Sequence, residues 1–327
     1  MAASAKIAVL GASNIDLIGN SKDKLIFKDS NIGSLERVLG GVGRNIAENL
    51  VRLGLDVEFL SVFGDDEFAS SLKKSCDELG ISHKHSLTLD NTMTSTYLAI
   101  MNKYNDLALG LSAMDIYDSL PNSFIEERLD IIGKHEFCVL ETNFPRATLD
   151  IVTEELPDVK FALEAVSAKK ALRAKSLLKR LYILKCNHLE AELLSGLKMD
   201  YESDYEKMVE HFLNIGVQKV FITLGKDGVV YGDQNEINVA RNNVVTPVNT
   251  NGAGDGALSA LLHDMSANRY HKENVPKSSK HQFDFLTYSS FSQICLYSNR
   301  VSYEVLAQHS PRLSRGLPER EDSLEEA

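Results

Sequence analysis

The chain has 327 residues, of which 43% are hydrophobic and 25% charged, and its formal net charge is −11. This is the composition of a globular protein with enough apolar residues to bury a sizeable core. The acidic excess argues against a general nucleic-acid binder, because contacts to phosphate groups require a basic face. A nucleotide ligand stays compatible with it, since local dipoles can outweigh the net charge.

The cysteines and the N-terminal segment indicate the cellular compartment in which the protein is expected. Four cysteines are scattered without a CxxC pair, which is typical of reduced thiols and not of a disulfide frame or a zinc site. The N-terminus lacks a basic segment followed by an apolar run, and no apolar run approaches the length that spans a membrane. These features predict a cytoplasmic protein with no membrane partner.

The first part of the chain shows no regular alternation of elements. Short apolar runs that end at glycine or polar residues predict strands, and apolar residues at helical spacing predict helices. In chain order the predicted elements are a strand at 6–10, a helix at 42–53 opened by Gly40-Gly41, a strand at 57–62, a helix at 67–79, and a hairpin of two strands at 94–102 and 107–111.

From residue 137 onward, strands and helices alternate. Alternation of this kind predicts an α/β fold with a mostly parallel sheet and helices on both faces. The predicted strands are 137–140, 161–163, 182–184 and 220–223, and the predicted helices are 147–156, 169–178, 188–194 and 205–215.

The organisation that we predict is one core domain with a small lid. The core covers residues 1–310, and strands from about 14–39 and 92–112 form a discontinuous β lid that projects from it. The last stretch, 311–327, is charged and poor in apolar residues, which predicts a flexible tail. An exposed lid sheet could pair with a second copy of the chain, which would make the protein a homodimer.

The segment NTNGAGDG at 249–256 carries the strongest chemical signal. Its small residues let main-chain N–H groups point one way, and the apolar run that follows predicts a helix whose dipole would help to hold an anion. Asp255 adds a carboxylate. An anion hole beside a base suits phosphoryl transfer to a hydroxyl, whereas the alternative is a capping aspartate. We expect the helix end to keep the pKa of Asp255 low.

Polar residues near the first strand and the first helix indicate a second binding region. Gly41 and Asn45 lie in GGVGRN, where glycines allow close approach of a ligand and the amide suits sugar hydroxyls. Asn14 and Asp16 follow the first strand, where open α/β sheets gather ligand groups. The carboxylate of Asp16 suits two vicinal hydroxyls. Tight turns with polar residues are the alternative for both segments.

Two later segments have features of a nucleotide site. Asn187 and Glu190 share one helical face, so Glu190 could hold hydrated Mg²⁺, while the two residues also fit a capping box. Thr223 and Gly225 lie in a strand–turn–strand segment where they could contact nucleotide phosphates, and the alternative is a plain hairpin turn. The sequence contains no Walker loop, no GxSxG elbow, no GxGxxG after the first strand and no histidines at metal-ligand spacing.

Taken in order, these segments resemble the ribokinase-like (PfkB) family of sugar and nucleoside kinases over roughly residues 6–306. The resemblance rests on GGVGRNIAENLVRLG, CNHLEAELLSG, ITLGKDGV and NTNGAGDG, which occur in the family order. It implies a ribokinase-like αβα sandwich and ATP-dependent phosphorylation of a hydroxyl group. Segments such as GASNIDLIG and AVSAKK resemble the subgroup that acts on pseudouridine, which implies transfer to the ribose 5′-hydroxyl.

The resemblance also implies a role for each matching residue. Asp255 would be the base, and Glu190 would order Mg²⁺ through water. The anion hole would be formed by the amides of Gly252, Ala253 and Gly254. The residues that would hold the ribosyl hydroxyls are Asn14, Asp16, Gly41, Asn45 and Glu141, and those that would line the ATP phosphates are Asn187, Thr223, Gly225 and Gly228.

The chain departs from the family pattern at Asn249 and Asn251, where many relatives have Asp and Thr. The change removes a carboxylate often associated with a monovalent cation, so the resemblance leaves potassium dependence open. Two alternatives to the pseudouridine reaction also stay open. One is a kinase for another nucleoside or sugar, and the other is a nucleoside-binding protein without catalysis. Retention of Asp255 with the anion-hole residues favours activity.

Overall fold

The computed structural model of the protein describes residues 6–104, 106–241 and 252–267. The strands are β1 (Lys6–Leu10), β2 (Asn14–Ser21), β3 (Gly33–Gly40), β4 (Asp56–Leu60), β5 (Val62–Phe63), β6 (Leu87–Thr88), β7 (Thr96–Met101), β8 (Leu107–Ala113), β9 (Phe137–Glu141), β10 (Lys160–Glu164), β11 (Leu181–Asn187), β12 (Lys219–Thr223), β13 (Val229–Asp233) and β14 (Ile237–Ala240). The helices are α1 (Val42–Arg52), α2 (Glu67–Leu79), α3 (Asp115–Asp118), α4 (Ser123–Glu126), α5 (Leu129–Ile132), α6 (Arg146–Glu155), α7 (Ala168–Ala171), α8 (His188–Ser195), α9 (Ser203–Ile215) and α10 (Ala253–Ala267).

Eight strands form one large sheet in the order β14-β13-β12-β11-β10-β9-β1-β4. The strands from β4 to β12 in this order run parallel, whereas β13 and β14 are antiparallel to their neighbours. The carboxyl ends of β1 and of β9 to β12 therefore meet at one edge of the sheet, which is where open α/β sheets bind ligands. The predicted α/β fold with a mostly parallel sheet is confirmed.

Helices cover both faces of the large sheet, because successive side chains of a strand point to opposite faces. In β1, Ile7 and Val9 pack with apolar residues of α1, α2 and α10, whereas Ala8 and Leu10 pack with those of α4, α6 and α9. Burial of a large side chain such as Phe59, which is 0% exposed, contributes about 2 kcal/mol. The helices that carry the two glycine-rich motifs, α1 and α10, thus lie on the same face.

The predicted helix at 169–178 is broken into α7 and short 3-10 turns. Its buried residues Ala171, Ala174 and Leu177 recur at every third position, which is the period of a 3-10 helix and not of an α-helix. The three-residue spacing of the buried side chains therefore fits 3-10 turns, and the continuous α-helix that we predicted over 169–178 is wrong.

One strand near the N-terminus also differs from prediction. The predicted strand at 57–62 is divided, because β4 ends at Leu60 and β5 leaves the large sheet to pair with β6. Strands β2 and β3 lie within the range 14–39 in which we predicted lid strands, although their partly or largely exposed side chains lack the alternation typical of a strand.

A separate sheet of four strands has the order β3-β2-β7-β8 and is called the small sheet below. Only residues 11–13 separate its strand β2 from β1, so a very short connection joins the two sheets. Strand β8 exposes a row of leucines, at 54% for Leu107, 58% for Leu109 and 59% for Leu111. The division into one core with a lid, and the pairing of the small sheet with a second copy, stay predictions.

Some sequence-based expectations fall outside the described residues, namely those on Asn249 and Asn251 and on the tail at 311–327. Within the described ranges, Cys76, Cys138 and Cys186 are buried free thiols. No helix in the same ranges combines the length and the apolar character that crossing a bilayer requires.

Candidate active site

Asp255 lies in the first turn of α10. Gly252 has a φ of 79°, and its carbonyl oxygen accepts a hydrogen bond from the amide of Gly256 at 2.9 Å, so the helix begins directly after it. The amides of the first helical residues have no acceptor within the helix, and the helix dipole adds partial positive charge there. This end of α10 therefore suits an anion. The anion-hole roles of Gly252, Ala253 and Gly254 remain predictions.

Asn45 connects the two glycine-rich motifs. Its Nδ2 atom donates a hydrogen bond to Oδ2 of Asp255 at 3.0 Å. Helix α1 can begin where it does because Gly41 has a φ of 105°, and because a Cβ at this position would lie 2.4 Å from the carbonyl oxygen of Ala12. The amide of Asn45 donates to the Gly41 oxygen at 2.8 Å, which places Asn45 one turn into the helix. The fold thus brings Gly41, Asn45 and Asp255 together.

Burial is the main reason that the pKa of Asp255 is raised. The negative charge of Glu164 raises this pKa further, whereas the hydrogen bond from Asn45 and the positive charge of Lys185 lower it. The balance raises the pKa of Asp255 to about 7. Our expectation of a low pKa is therefore wrong, because loss of hydration and the charge of Glu164 outweigh the hydrogen bond from Asn45 and the charge of Lys185.

A buried ion pair lies beside the first turn of α10. Lys185 and Glu164 are register partners at the carboxyl ends of β11 and β10, and Nζ lies 2.8 Å from Oε1 and 2.7 Å from Oε2 of the carboxylate. Nζ also lies against Gly254, where a Cβ would be only 2.3 Å from it. No motif marks this pair. The available signal is a charged residue after each of two apolar runs, FAL and LYIL, which parallel pairing places side by side.

Asn14 and Asp16 lie at the start of β2. Nδ2 of Asn14 donates to Oδ1 of Asp16, and the Asp16 carboxylate lies against Gly40, where a Cβ would be 2.5 Å from Oδ2. Burial raises the pKa of Asp16, and the hydrogen bond from Asn14 offsets part of this effect. Contacts of Asn14 and Asp16 with sugar hydroxyls are not tested by these observations and stay predictions.

Glu141 ends β9 and is fully buried. Its Oε1 accepts from the amide of Ala12 at 2.7 Å, and its Oε2 accepts from the side-chain amide of Asn143. Burial raises the pKa of Glu141 to about 7, although the hydrogen bonds and the charge of Lys170 lower it. Both oxygens are thus engaged within the protein and hold the loop after β1. A contact between Glu141 and a sugar stays a prediction.

The residues expected at the nucleotide lie at the same edge of the sheet. Asn187 and Thr223 are register partners at the ends of β11 and β12. Gly225 follows in a 3-10 turn with a φ of 62°, and Gly228 has a φ of 108°. A Cβ at Gly228 would lie 2.0 Å from the Ala240 oxygen, so close packing against the end of β14 also requires glycine. The contacts of these four residues with phosphates stay predictions.

Asn187 and Glu190 form a reciprocal capping box at the start of α8. Oδ1 of Asn187 accepts from the Glu190 amide at 2.9 Å, and Oε2 of Glu190 accepts from the Asn187 amide at 2.8 Å. Among the described residues, no group of three or more acidic, histidine or cysteine side chains could enclose a metal ion. A single carboxylate beside a phosphate site fits Mg²⁺, because this ion keeps most of its waters.

Comparison with known proteins gives a family and several relatives. A family model described as pfkB family carbohydrate kinase matches residues 4–277. Guanosine-inosine kinase of Escherichia coli is 75% identical over 80 residues, which are 24% of this chain and only 18% of that relative. Pseudouridine kinase of Escherichia coli (strain K12) is 29% identical over 256 residues, which are 78% of this chain and 82% of the relative.

A solved structure of Arabidopsis thaliana ribokinase, described as complexed with ribose and ATP, superimposes with a TM-score of 0.77. It covers 94% of this chain and 94% of that chain, at 16% sequence identity. At this identity the likeness shows a ribokinase-like fold alone, which agrees with the predicted fold class.

The capping box predicts different effects for its two members on the free energy of unfolding. Asn187→Ala removes the acceptor of the Glu190 amide and should destabilise the protein by about 1 kcal/mol. Glu190→Gln keeps an oxygen that can accept from Asn187, so the loss should stay below about 0.5 kcal/mol. Urea unfolding of both variants at pH 7 measures this difference. Equal losses would show that the box depends on the negative charge of Glu190.

Proposed function

The chain belongs to the PfkB family of carbohydrate kinases, and from this membership we propose that it transfers the terminal phosphoryl group of ATP to a hydroxyl group of a nucleoside. The acceptor that we propose is the ribose 5′-hydroxyl of pseudouridine. One observation carries the proposal, namely the hydrogen bond between Asn45 and Asp255. It puts a buried carboxylate, an amide suited to sugar hydroxyls and the free amides of a helix start in one place.

Asp255 acts as the base in this proposal. Its ionised carboxylate accepts the hydrogen bond of the acceptor hydroxyl, and the proton moves to it as the oxygen attacks phosphorus. The bond from phosphorus to the bridging oxygen breaks, and ADP leaves with that electron pair. Asn45 holds one carboxylate oxygen and so fixes the orientation of Asp255. The amides of Gly252, Ala253 and Gly254 stabilise negative charge on the transferred group.

Glu141 of the proposed acceptor region and Asn187 and Thr223 of the proposed nucleotide region share the carboxyl edge of the large sheet, whereas Asn14 and Asp16 belong to the small sheet. Asn14, Asp16, Gly41, Asn45 and Glu141 are proposed for the acceptor, and Asn187, Thr223, Gly225 and Gly228 for the phosphates of ATP. Mg²⁺, when bound, would neutralise phosphate charge, and Glu190 would hold it through water. Support comes from the shared edge and from the ribokinase relative that is described with ATP.

The identity of the acceptor needs a separate argument, because the names of two relatives indicate different nucleosides. The longer match, 78% of this chain, is to a pseudouridine kinase. The shorter match, over 80 residues, is to a guanosine-inosine kinase and makes a purine nucleoside the second candidate. We favour pseudouridine because Asn14 and Glu141 lie further apart in sequence than the shorter match can span. That match cannot contain the whole proposed acceptor site.

An acceptor panel with ATP tests the proposal directly. ADP release should be observed with pseudouridine, and its kcat/KM should exceed that of uridine by at least about tenfold, because an unmet buried donor or acceptor is costly. Uridine is the matched control, since it differs in the linkage of the base. Guanosine, inosine and ribose complete the panel. Preference for guanosine or inosine would favour the second candidate. If no acceptor led to ADP release, the protein would instead be a nucleoside-binding protein without catalysis.

Replacement of the proposed base should separate catalysis from binding. Asp255→Asn should lower kcat by about 10²–10⁴-fold and leave the Kd for the nucleoside nearly unchanged. In the wild type, kcat/KM should fall below pH 7, because the pKa of Asp255 is raised to about 7 and protonation removes the base. The variant should lack this acidic limb. Wild-type turnover in Asp255→Asn would show that another group is the base.

The small sheet is also proposed to pair with that of a second copy. Its edge strand β8 exposes Leu107, Leu109 and Leu111. An exposed apolar edge strand favours association with the same strand of another copy of the chain. The full chain should sediment as a dimer, and Leu109→Asp should convert it to a monomer without a large change in Tm. Tyr201→Asp, at an exposed residue outside the small sheet, is the control and should stay dimeric. A monomeric wild type would contradict the pairing.

A further inference from the structure

Lys185 occupies a position that disfavours a cation. Its side chain is 6% exposed, and Nζ lies against Gly254 in the first turn of α10. The start of a helix carries partial positive charge, so an ammonium group is repelled there. Burial adds to the cost, because removing a charge from water is unfavourable. Packing alone therefore does not explain why a cation lies buried at the start of α10.

Glu164 stabilises the buried ammonium group of Lys185. Both carboxylate oxygens lie within 2.8 Å of Nζ, and the Glu164 side chain is itself 4% exposed. Burial alone would lower the pKa of Lys185, yet the ion pair with Glu164 and the negative charges of Asp255 and Glu190 raise it. Lys185 therefore stays protonated in the folded protein. Two apolar residues of similar volume would often be equally stable here, so stability does not explain the pair.

The charged groups that face Asp255 come from neighbouring elements at the carboxyl edge of the large sheet. Glu164 ends β10, Lys185 lies near the end of β11, and both act on Asp255. Glu190, in the first turn of α8, acts on Lys185. From α1 the contact is the uncharged amide of Asn45. Lys185 is the cation in this set, and it touches the residue that precedes Asp255.

We propose that Lys185 and Glu164 form a charge-setting pair that fixes the balance between the ionised and the protonated form of Asp255 while the substrates are bound. The charge of Glu164 itself disfavours the ionised form, whereas that of Lys185 favours it. Lys185 supplies the field that favours the carboxylate, and Glu164 holds the ammonium group against Gly254. Both are positioning residues, because they act through Asp255. The inference rests on the proposed function, in which Asp255 is the base. The phosphates of ATP favour protonation of a nearby carboxylate, so the field of Lys185 is needed most when ATP is present.

The two members of the pair should have opposite effects on the pH dependence of kcat/KM. Lys185→Met removes the favourable charge, so the acidic limb should move up by about one pH unit or more. At pH 7 kcat/KM should fall at least about fivefold, and it should recover once the pH is high enough to ionise Asp255. Glu164→Gln removes the unfavourable charge and leaves Lys185 facing Asp255, so the limb should move down.

A matched control separates this effect from general damage to buried ion pairs. Lys219, at the amino end of β12, pairs with Asp233 at 3.0 Å and is also largely buried. Lys219→Met should leave the acidic limb in place. If Lys185→Met and Glu164→Gln lower kcat/KM equally at every pH and the limb stays fixed, the pair is structural and the proposal is overturned. Should Lys185→Met fail to fold, Glu164→Gln decides alone, since a structural role predicts no downward shift.

A second readout does not depend on activity. The carboxyl carbon of Asp255 can be titrated by ¹³C NMR of the nucleotide-free, aspartate-labelled protein, with Asp255→Asn to assign its signal. The midpoint should rise in Lys185→Met and fall in Glu164→Gln. If the wild type phosphorylates no nucleoside, the proposed function fails, and these titrations still test the pair. If the wild type is active and neither midpoint nor limb moves, the pair fails and the proposed function stands.

Discussion

The hydrogen bond from Asn45 to Asp255 is the contact on which the candidate site depends, because it joins residues 210 positions apart. Helices α1 and α10 pack on the same face of the large sheet, and each follows a glycine with positive φ. The side chain of Asn45 from α1 and the first turn of α10 therefore meet at one carboxylate. The dipole of α10 favours negative charge at this point, whereas burial of Asp255 opposes it. The two effects leave Asp255 close to balance between its protonated and ionised forms.

The carboxyl edge of the large sheet supplies the remaining buried charges in a fixed order. Glu141, Glu164 and Lys185 are register partners on three successive parallel strands. The register of these strands is set by the apolar side chains that they bury, so the charges cannot slide past one another without disrupting the core. Packing of the sheet thus determines where the buried charges beside Asp255 lie.

Features that depend on nearby residues could be predicted from the sequence, and features that depend on strand order could not. Helix α2 occupies its predicted range, Glu67–Leu79, because apolar spacing and the left-handed Gly80 mark it locally. The ion pair of Glu164 with Lys185 escapes prediction, because it exists only once β10 and β11 are neighbours. The raised pKa of Asp255 escapes it too, since burial follows from the whole fold.

The short connection between β1 and β2 has a consequence for how a nucleoside would be sensed. Residues 11–13 are pinned by Glu141 on one side and Gly41 on the other, whereas Asp16 already belongs to the small sheet. Under the proposed function, in which the small sheet acts as a lid, closure of the lid would move Asp16 together with the rest of the sheet. An acceptor that contacts Asp16 would then favour the closed form, whereas water makes no such contact and would be a poor acceptor of the phosphoryl group.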